Sequence, residues 1–183
     1  MRRTITIVAL VMAAAAVGAV GVAAAVPASV STTPYCGITW GSQPKELTPG
    51  STAELEGIRT GRHDCFDRLV IDVRDGDIAG YTVSYVDQIT MDGSGAPVAV
   101  RGGARLQVVA RVPTPTMDSI FLPNGELADV TGYQTFRHVA WAGSFEGQTT
   151  IGLGVRARLP FRVLLLDGPG TGSRMVVDVA HRW

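Results

Sequence analysis

The sequence predicts an all-β protein, an antiparallel β-sandwich of two facing sheets, with an N-terminal signal or anchor helix ahead of it. Three observations predict it. Short segments rich in Val, Ile, Tyr and Leu recur between clusters of Gly, Asp, Asn and Pro, as in strands joined by turns. Two of these segments alternate apolar and polar residues with a period of two, the mark of a strand buried on one face. Beyond the first thirty or so residues no long stripe at helical spacing competes with them.

The N-terminal segment comes first. Arg2 and Arg3 precede twenty residues, Ile7 to Val26, without one charged or hydrogen-bonding side chain. A short positive region followed by an apolar run and small residues is the architecture of a secretory signal, with cleavage expected after Ala28 and Ala25 as the second choice. The same run is long enough to span a hydrocarbon core of about 30 Å, so an uncleaved anchor is the alternative. Removing residues 1–28 leaves 14 basic against 16 acidic residues, scattered singly. That excludes a nucleic-acid-binding surface and a polybasic membrane patch. No second run of membrane length follows the first, so no membrane span is expected beyond it.

Residues 29–52 are rich in Pro, Ser, Thr and Gly and read as an extended lead-in. The two cysteines, Cys36 and Cys65, both fall in the exported part, where disulfides persist, and are read as one bridge pinning the lead-in to the domain at 53–183. Neither has a CxxC neighbour or His-rich spacing to suggest a metal or redox pair.

The expected strands are Ala53–Arg59, Arg68–Val73, Tyr81–Val86, Val98–Val100, Ala104–Val112, Phe136–Ala142, Gln148–Val155, Phe161–Leu166 and Met175–Ala180. In the fifth, Leu106, Val108, Ala110 and Val112 face inward while Gln107 and Arg111 face out. From 148 to 158, Ile151, Leu153, Val155 and Ala157 face inward and Thr150, Gly152, Gly154 and Arg156 outward. The stretch from Pro113 to Gly132 holds three prolines and reads as a long surface loop. One internal echo stands out: Asp67-Arg68-Leu69-Val70-Ile71-Asp72-Val73 is matched by Ser173-Arg174-Met175-Val176-Val177-Asp178-Val179. It suggests two related sheets facing one another, each contributing an equivalent strand to a shared core.

The run from Ile58 through Arg62-His63-Asp64-Cys65-Phe66-Asp67-Arg68 to Asp72 resembles the signature of AMIN-like domains of exported Gram-positive envelope proteins. Three further stretches carry the resemblance. Gly80-Tyr81-Thr82-Val83 leads to Asp92-Gly93-Ser94-Gly95, Phe145-Glu146-Gly147 to Gly152-Leu153-Gly154-Val155-Arg156, and Pro160-Phe161-Arg162-Val163 to Arg174-Met175-Val176-Val177-Asp178. The resemblance implies a noncatalytic β module that localises envelope proteins by binding the cell wall. Its expected partner is a cell-wall polymer, peptidoglycan above all, or an envelope protein. The chain carries no attached hydrolase domain, so a binding, adaptor or partner role is what remains.

The densest polar cluster is Arg62, His63 and Asp64, with Asp67 and Arg68 just after. Two readings apply. As a binding site of Arg62, His63, Asp64 and Arg68, the cluster offers cationic donors for the carboxylates and carbonyls of stem peptides; alternatively, these charges pair with one another at a strand entrance and seal the end of the sandwich, the reading that charged residues beside strand starts favour. A hydrolase built on His63 and Asp64 is the competing enzymatic reading, but no Gly-x-Ser-x-Gly elbow marks a nucleophile. His63, His138 and His181 stand far apart in the chain, so no metal site is expected, and no cofactor motif is present.

Overall fold

The computed structural model describes residues 34–48, 53–78, 80–114, 126–168 and 170–183. The expected signal segment, residues 1–28, lies outside the described residues, as do parts of the lead-in. A 3₁₀ turn at Tyr35–Gly37 is followed by eleven strands: β1 (Lys45–Leu47), β2 (Glu54–Arg62), β3 (Phe66–Arg74), β4 (Tyr81–Val86), β5 (Ile89–Thr90), β6 (Pro97–Val98), β7 (Ala104–Ala110), β8 (Phe136–Phe145), β9 (Gln148–Val155), β10 (Phe161–Asp167) and β11 (Ser173–Ala180). One sheet has the order β1-β4-β7-β9-β8 and the other β10-β11-β3-β2, with β5 and β6 as a separate pair. Every pairing is antiparallel.

The sandwich follows from the alternation. Leu69, Ile71 and Val73 of β3 and Met175, Val177 and Val179 of β11 leave one face of the four-stranded sheet. They meet Leu106, Val108 and Ala110 of β7 and Ile151, Leu153 and Val155 of β9 in a single buried cluster. Each such side chain contributes about 1.5–3 kcal/mol by leaving water, and a one-residue slip in any of these strands would turn its whole set to the wrong side. β4 and β9 occupy the residues expected of them.

Three expectations are corrected. The echoed strands do not face each other from two sheets: β3 and β11 are neighbours in one sheet, Val70 opposite Val176 and Arg68 opposite Asp178. Because the pairing is antiparallel, the shared Arg-apolar-Val-apolar-Asp order sets each arginine against the other strand's aspartate, which favours lateral pairing. Second, the outward side of β9 is not exposed, since Thr150, Gly152 and Gly154 are buried. A small second cluster of Ile89, Val100, Ala140 and Ala142 covers it. A Cβ at Gly154 would collide with the Arg101 carbonyl, and one at Gly152 would meet Val100 and Ile89 at about 3.0–3.1 Å, so glycine is required by the covering segment. Third, the end of the expected surface loop is built in: Leu127, Ala128 and Val130 are buried, and the Leu127 N–H donates to the Val139 carbonyl.

The lead-in packs onto the domain. Cys36 and Cys65 form the expected disulfide, the Trp40 Nε1–H donates to the Tyr35 carbonyl, and the Phe161 N–H donates to the Gly41 carbonyl. Trp40 and Phe66 lie with ring centroids 6.0 Å apart, and the Arg162 guanidinium sits over both rings. The Gly41–Phe161 bond lies along the β10 edge of the four-stranded sheet, and Arg162 lies on the face that carries Asp178.

Candidate binding groove

β2 and β3 run antiparallel with Arg62 opposite Asp67, and the His63 N–H closes the hairpin on the Phe66 carbonyl at 3.0 Å. The strand expected to end at Arg59 runs on through Thr60-Gly61 to Arg62, and the turn itself is His63-Asp64-Cys65. Three connections hold it. Cys65 is bonded to Cys36, the His181 N–H donates to the Cys65 carbonyl at 3.0 Å, and the His181 ring reaches the His63 carbonyl through Nε2 at 2.9 Å. A carbonyl only accepts, so Nε2 carries the proton. The other ring nitrogen lies 3.0 Å from the Thr135 hydroxyl, which is also 3.2 Å from the Ala180 carbonyl.

Asp67 continues the inward series of Leu69, Ile71 and Val73, which sends a carboxyl group into the end of the core. It is only 1% exposed. Burial of this kind is tolerated where hydrogen bonds replace water, and Oδ2 accepts from the Thr135 N–H at 2.6 Å and the Phe136 N–H at 2.9 Å. These bonds tie the start of β8 to the hairpin. Oδ1, by contrast, is buried with no partner among the described residues, a deficit of about 1–3 kcal/mol for a polar atom withdrawn from water.

Arg62, His63, Asp64, Asp67, Gly132, Gln134 and His181 line a groove of about 320 Å³. Arg62 is exposed and lies over the Tyr133 ring at 5.9 Å, with no acidic partner among the described residues. Tyr133 in turn stacks on Phe136 and donates from its hydroxyl to Thr60 Oγ1 at 3.0 Å. The His63 ring stacks on Phe66 at 4.5 Å. A second cavity of about 280 Å³ shares Gly132 as a wall and is lined by Arg101, Glu126, Asp129 and Arg137 among others.

The structure brings Arg62, His63 and Asp64 together at this groove. Arg68, an alternate residue along β3, points to the sheet's outer face, where it is bonded to Asp178. The favoured reading of mutual pairing within the cluster is corrected here: Asp67 bonds backbone N–H groups, Arg68 bonds a carboxylate on β11, and Arg62 is left without an acid. Arg68 separates from Asp67 because neighbours on a strand leave opposite faces. His181, Thr135 and Gln134 were not among the expected site residues. The one local signal was the parity that turns Asp67 inward, since a buried carboxyl implies partners from elsewhere in the chain. His138 lies apart from the groove, its Nδ1 accepting from the Arg101 N–H at 3.3 Å; burial, then the nearby Arg101, holds its pKa below the usual histidine value.

The AMIN-like domain family matches residues 53–181, most of the chain and all of the groove. The chain belongs to the AMIN-like domain family. No curated protein and no solved structure matches it significantly. The groove of this AMIN-like domain is therefore interpreted from its own residues.

Proposed function

We propose that this AMIN-like protein is a noncatalytic module of the cell envelope, exported across the cytoplasmic membrane, that binds peptidoglycan through the groove at the β2–β3 hairpin and localises or adapts a partner there. One observation carries the reading: a groove built on a disulfide-held turn presents an exposed guanidinium and a buried carboxyl oxygen that have, among the described residues, no acid and no donor respectively. Groups left in that state are suited to a ligand that supplies both partners. Family membership supports the wall as its source. No helix among the described residues is long and apolar enough to cross a membrane, in keeping with a domain that meets the wall from outside.

The noncatalytic reading is supported by the histidines of the groove. The His63 ring is engaged by Phe66. His181 does touch a hydroxyl, that of Thr135, but Thr135 is wholly buried and, unlike Asp67, does not line the groove, which puts it beyond the reach that attack on a substrate requires. The test is co-sedimentation of the exported chain with purified cell-wall sacculi, followed by analysis of the supernatant. Pelleting with the wall and no release of soluble fragments is expected. Released muropeptides would establish a hydrolase instead, and a chain that stays in solution would end the wall-binding reading.

A further inference from the structure

Arg62 and Asp67 are direct cross-strand partners, so their side chains leave the sheet on one face with Cβ atoms about 5 Å apart. Opposite charges placed so usually pair. These do not, because Asp67 is drawn to the Thr135 and Phe136 N–H groups and Arg62 lies over Tyr133. Two complementary needs are thereby left side by side: among the described residues Asp67 Oδ1 has no donor and the Arg62 guanidinium no acceptor. A ligand meeting both carries an N–H next to an acceptor oxygen, as an amide or an amino-acid end does.

The aromatic residues separate a peptide from a sugar. A pyranose ring is received on an exposed aromatic face, and no Trp, Tyr or Phe lines the groove among the described residues. Tyr133, beside the groove, is stacked on Phe136 and overlain by Arg62. Charge agrees, since Arg62 suits a carboxylate, while an unmodified glycan chain offers hydroxyls and acetamides. Resting on the wall-binding reading above, we infer that the groove takes the stem peptide of peptidoglycan and not its glycan strand, an N–H of the peptide donating to Asp67 Oδ1 and a carboxylate or carbonyl accepting from Arg62.

The probes are disaccharide-peptide fragments released from purified sacculi and an uncharged N-acetylglucosamine disaccharide, which carries neither peptide nor the lactyl carboxylate that an amidase would expose, each titrated calorimetrically into the exported chain. The peptide-bearing fragment binds, and loss of the peptide weakens binding roughly tenfold or more, the scale of a lost charge-assisted hydrogen bond. Arg62→Ala and Asp67→Asn each reproduce that loss. The second variant keeps an oxygen for the Thr135 and Phe136 N–H groups and places an amide NH₂ where the open acceptor stood, so thermal unfolding is recorded beside binding to show that it stays folded. Equal binding of the bare disaccharide, or indifference to both folded variants, overturns the peptide assignment while leaving wall binding in place. Failure of the unaltered chain to sediment with sacculi overturns wall binding, and the assignment falls with it.

Discussion

Arg68 and Asp178 face each other across the β3–β11 seam and are joined twice, Arg68 Nε to Oδ1 at 2.6 Å and Nη2 to Oδ2 at 2.9 Å. The same carboxylate accepts a third bond from Arg162 Nε on β10 at 2.8 Å, and its side chain is fully withdrawn from solvent. Three neighbouring strands are thus tied through one aspartate.

Removing that aspartate leaves two arginines, each about a quarter exposed, facing each other without an acid. Breaking a buried pair by deleting one partner costs about 3–5 kcal/mol. Asp178→Ala is expected at the lower end, about 3 kcal/mol, because both guanidinium groups retain some water; at about 2–4 °C per kcal/mol for a chain of this size, the melting temperature falls by roughly 6–12 °C. Arg68→Ala, which leaves Arg162 in place, falls less. Urea unfolding of both variants checks the order, and an Arg68→Ala loss equal to that of Asp178→Ala would contradict the shared-carboxylate account.

The bridge between Cys36 and Cys65, 29 residues apart, constrains the unfolded chain and holds the lead-in against the domain. Its loss is expected to cost about 3–4 kcal/mol and to alter the fluorescence of Trp40, whose contacts with Phe66 and Arg162 depend on the lead-in's position. Thermal unfolding and tryptophan emission with and without reductant measure both. An unshifted transition after complete reduction would show that the bridge contributes no stability.

Tyr85 gives a dependence on pH. Its hydroxyl donates to the Leu159 carbonyl at 2.6 Å and accepts from the Leu159 N–H at 3.0 Å. Burial pushes its pKa up to about 12, against opposing contributions from that backbone bond and from Arg158. The folded state therefore favours the neutral phenol. The stability this contributes is complete below the unfolded value near 10 and is lost as pH rises through about 12. In a spectroscopic titration of tyrosinate, one residue should ionise last, near the onset of alkaline unfolding, and should be missing in Tyr85→Phe. A variant titrating identically to the parent would refute the assignment.

The inner face of each strand was legible because one rule governs it: residues two apart must be apolar if they share a core, as Ile151, Leu153 and Val155 do. The outer face of β9 obeys a different constraint, imposed by the segment around Ile89, Val100 and Arg101, and nothing in Gly152-Leu153-Gly154 says what will lie above it. The repeated Arg-to-Asp strand was visible, but its meaning turned on direction, since parallel reading matches like with like and antiparallel pairing matches arginine with aspartate. At the groove, Arg62, His63 and Asp64 were found by local density. Thr135 arrives from 68 residues away to serve Asp67 and His181 from 118 residues away to serve the His63 carbonyl, and neither carries a local mark of its own.

The groove residues are expected to divide into those that hold the fold and those that do not. Truncating Arg62 removes only its contact with the Tyr133 ring, within about 1 kcal/mol for an exposed cation. Truncating His63 removes a ring stacked on Phe66, about 0.5–1.5 kcal/mol, while the His63 carbonyl that receives His181 stays in place. His181 differs, being buried and bonded through both ring nitrogens, so His181→Ala strands the His63 carbonyl, leaves the Thr135 hydroxyl only the Ala180 carbonyl, and should cost about 2–4 kcal/mol. Thermal unfolding should therefore rank the Arg62→Ala, His63→Ala double variant above His181→Ala, and wall sedimentation of the double variant should drop while it remains folded. If its melting temperature falls as far as that of His181→Ala and its folded fraction still pellets with the wall, the hairpin turn is a clamp for the end of the sandwich and the ligand lies elsewhere.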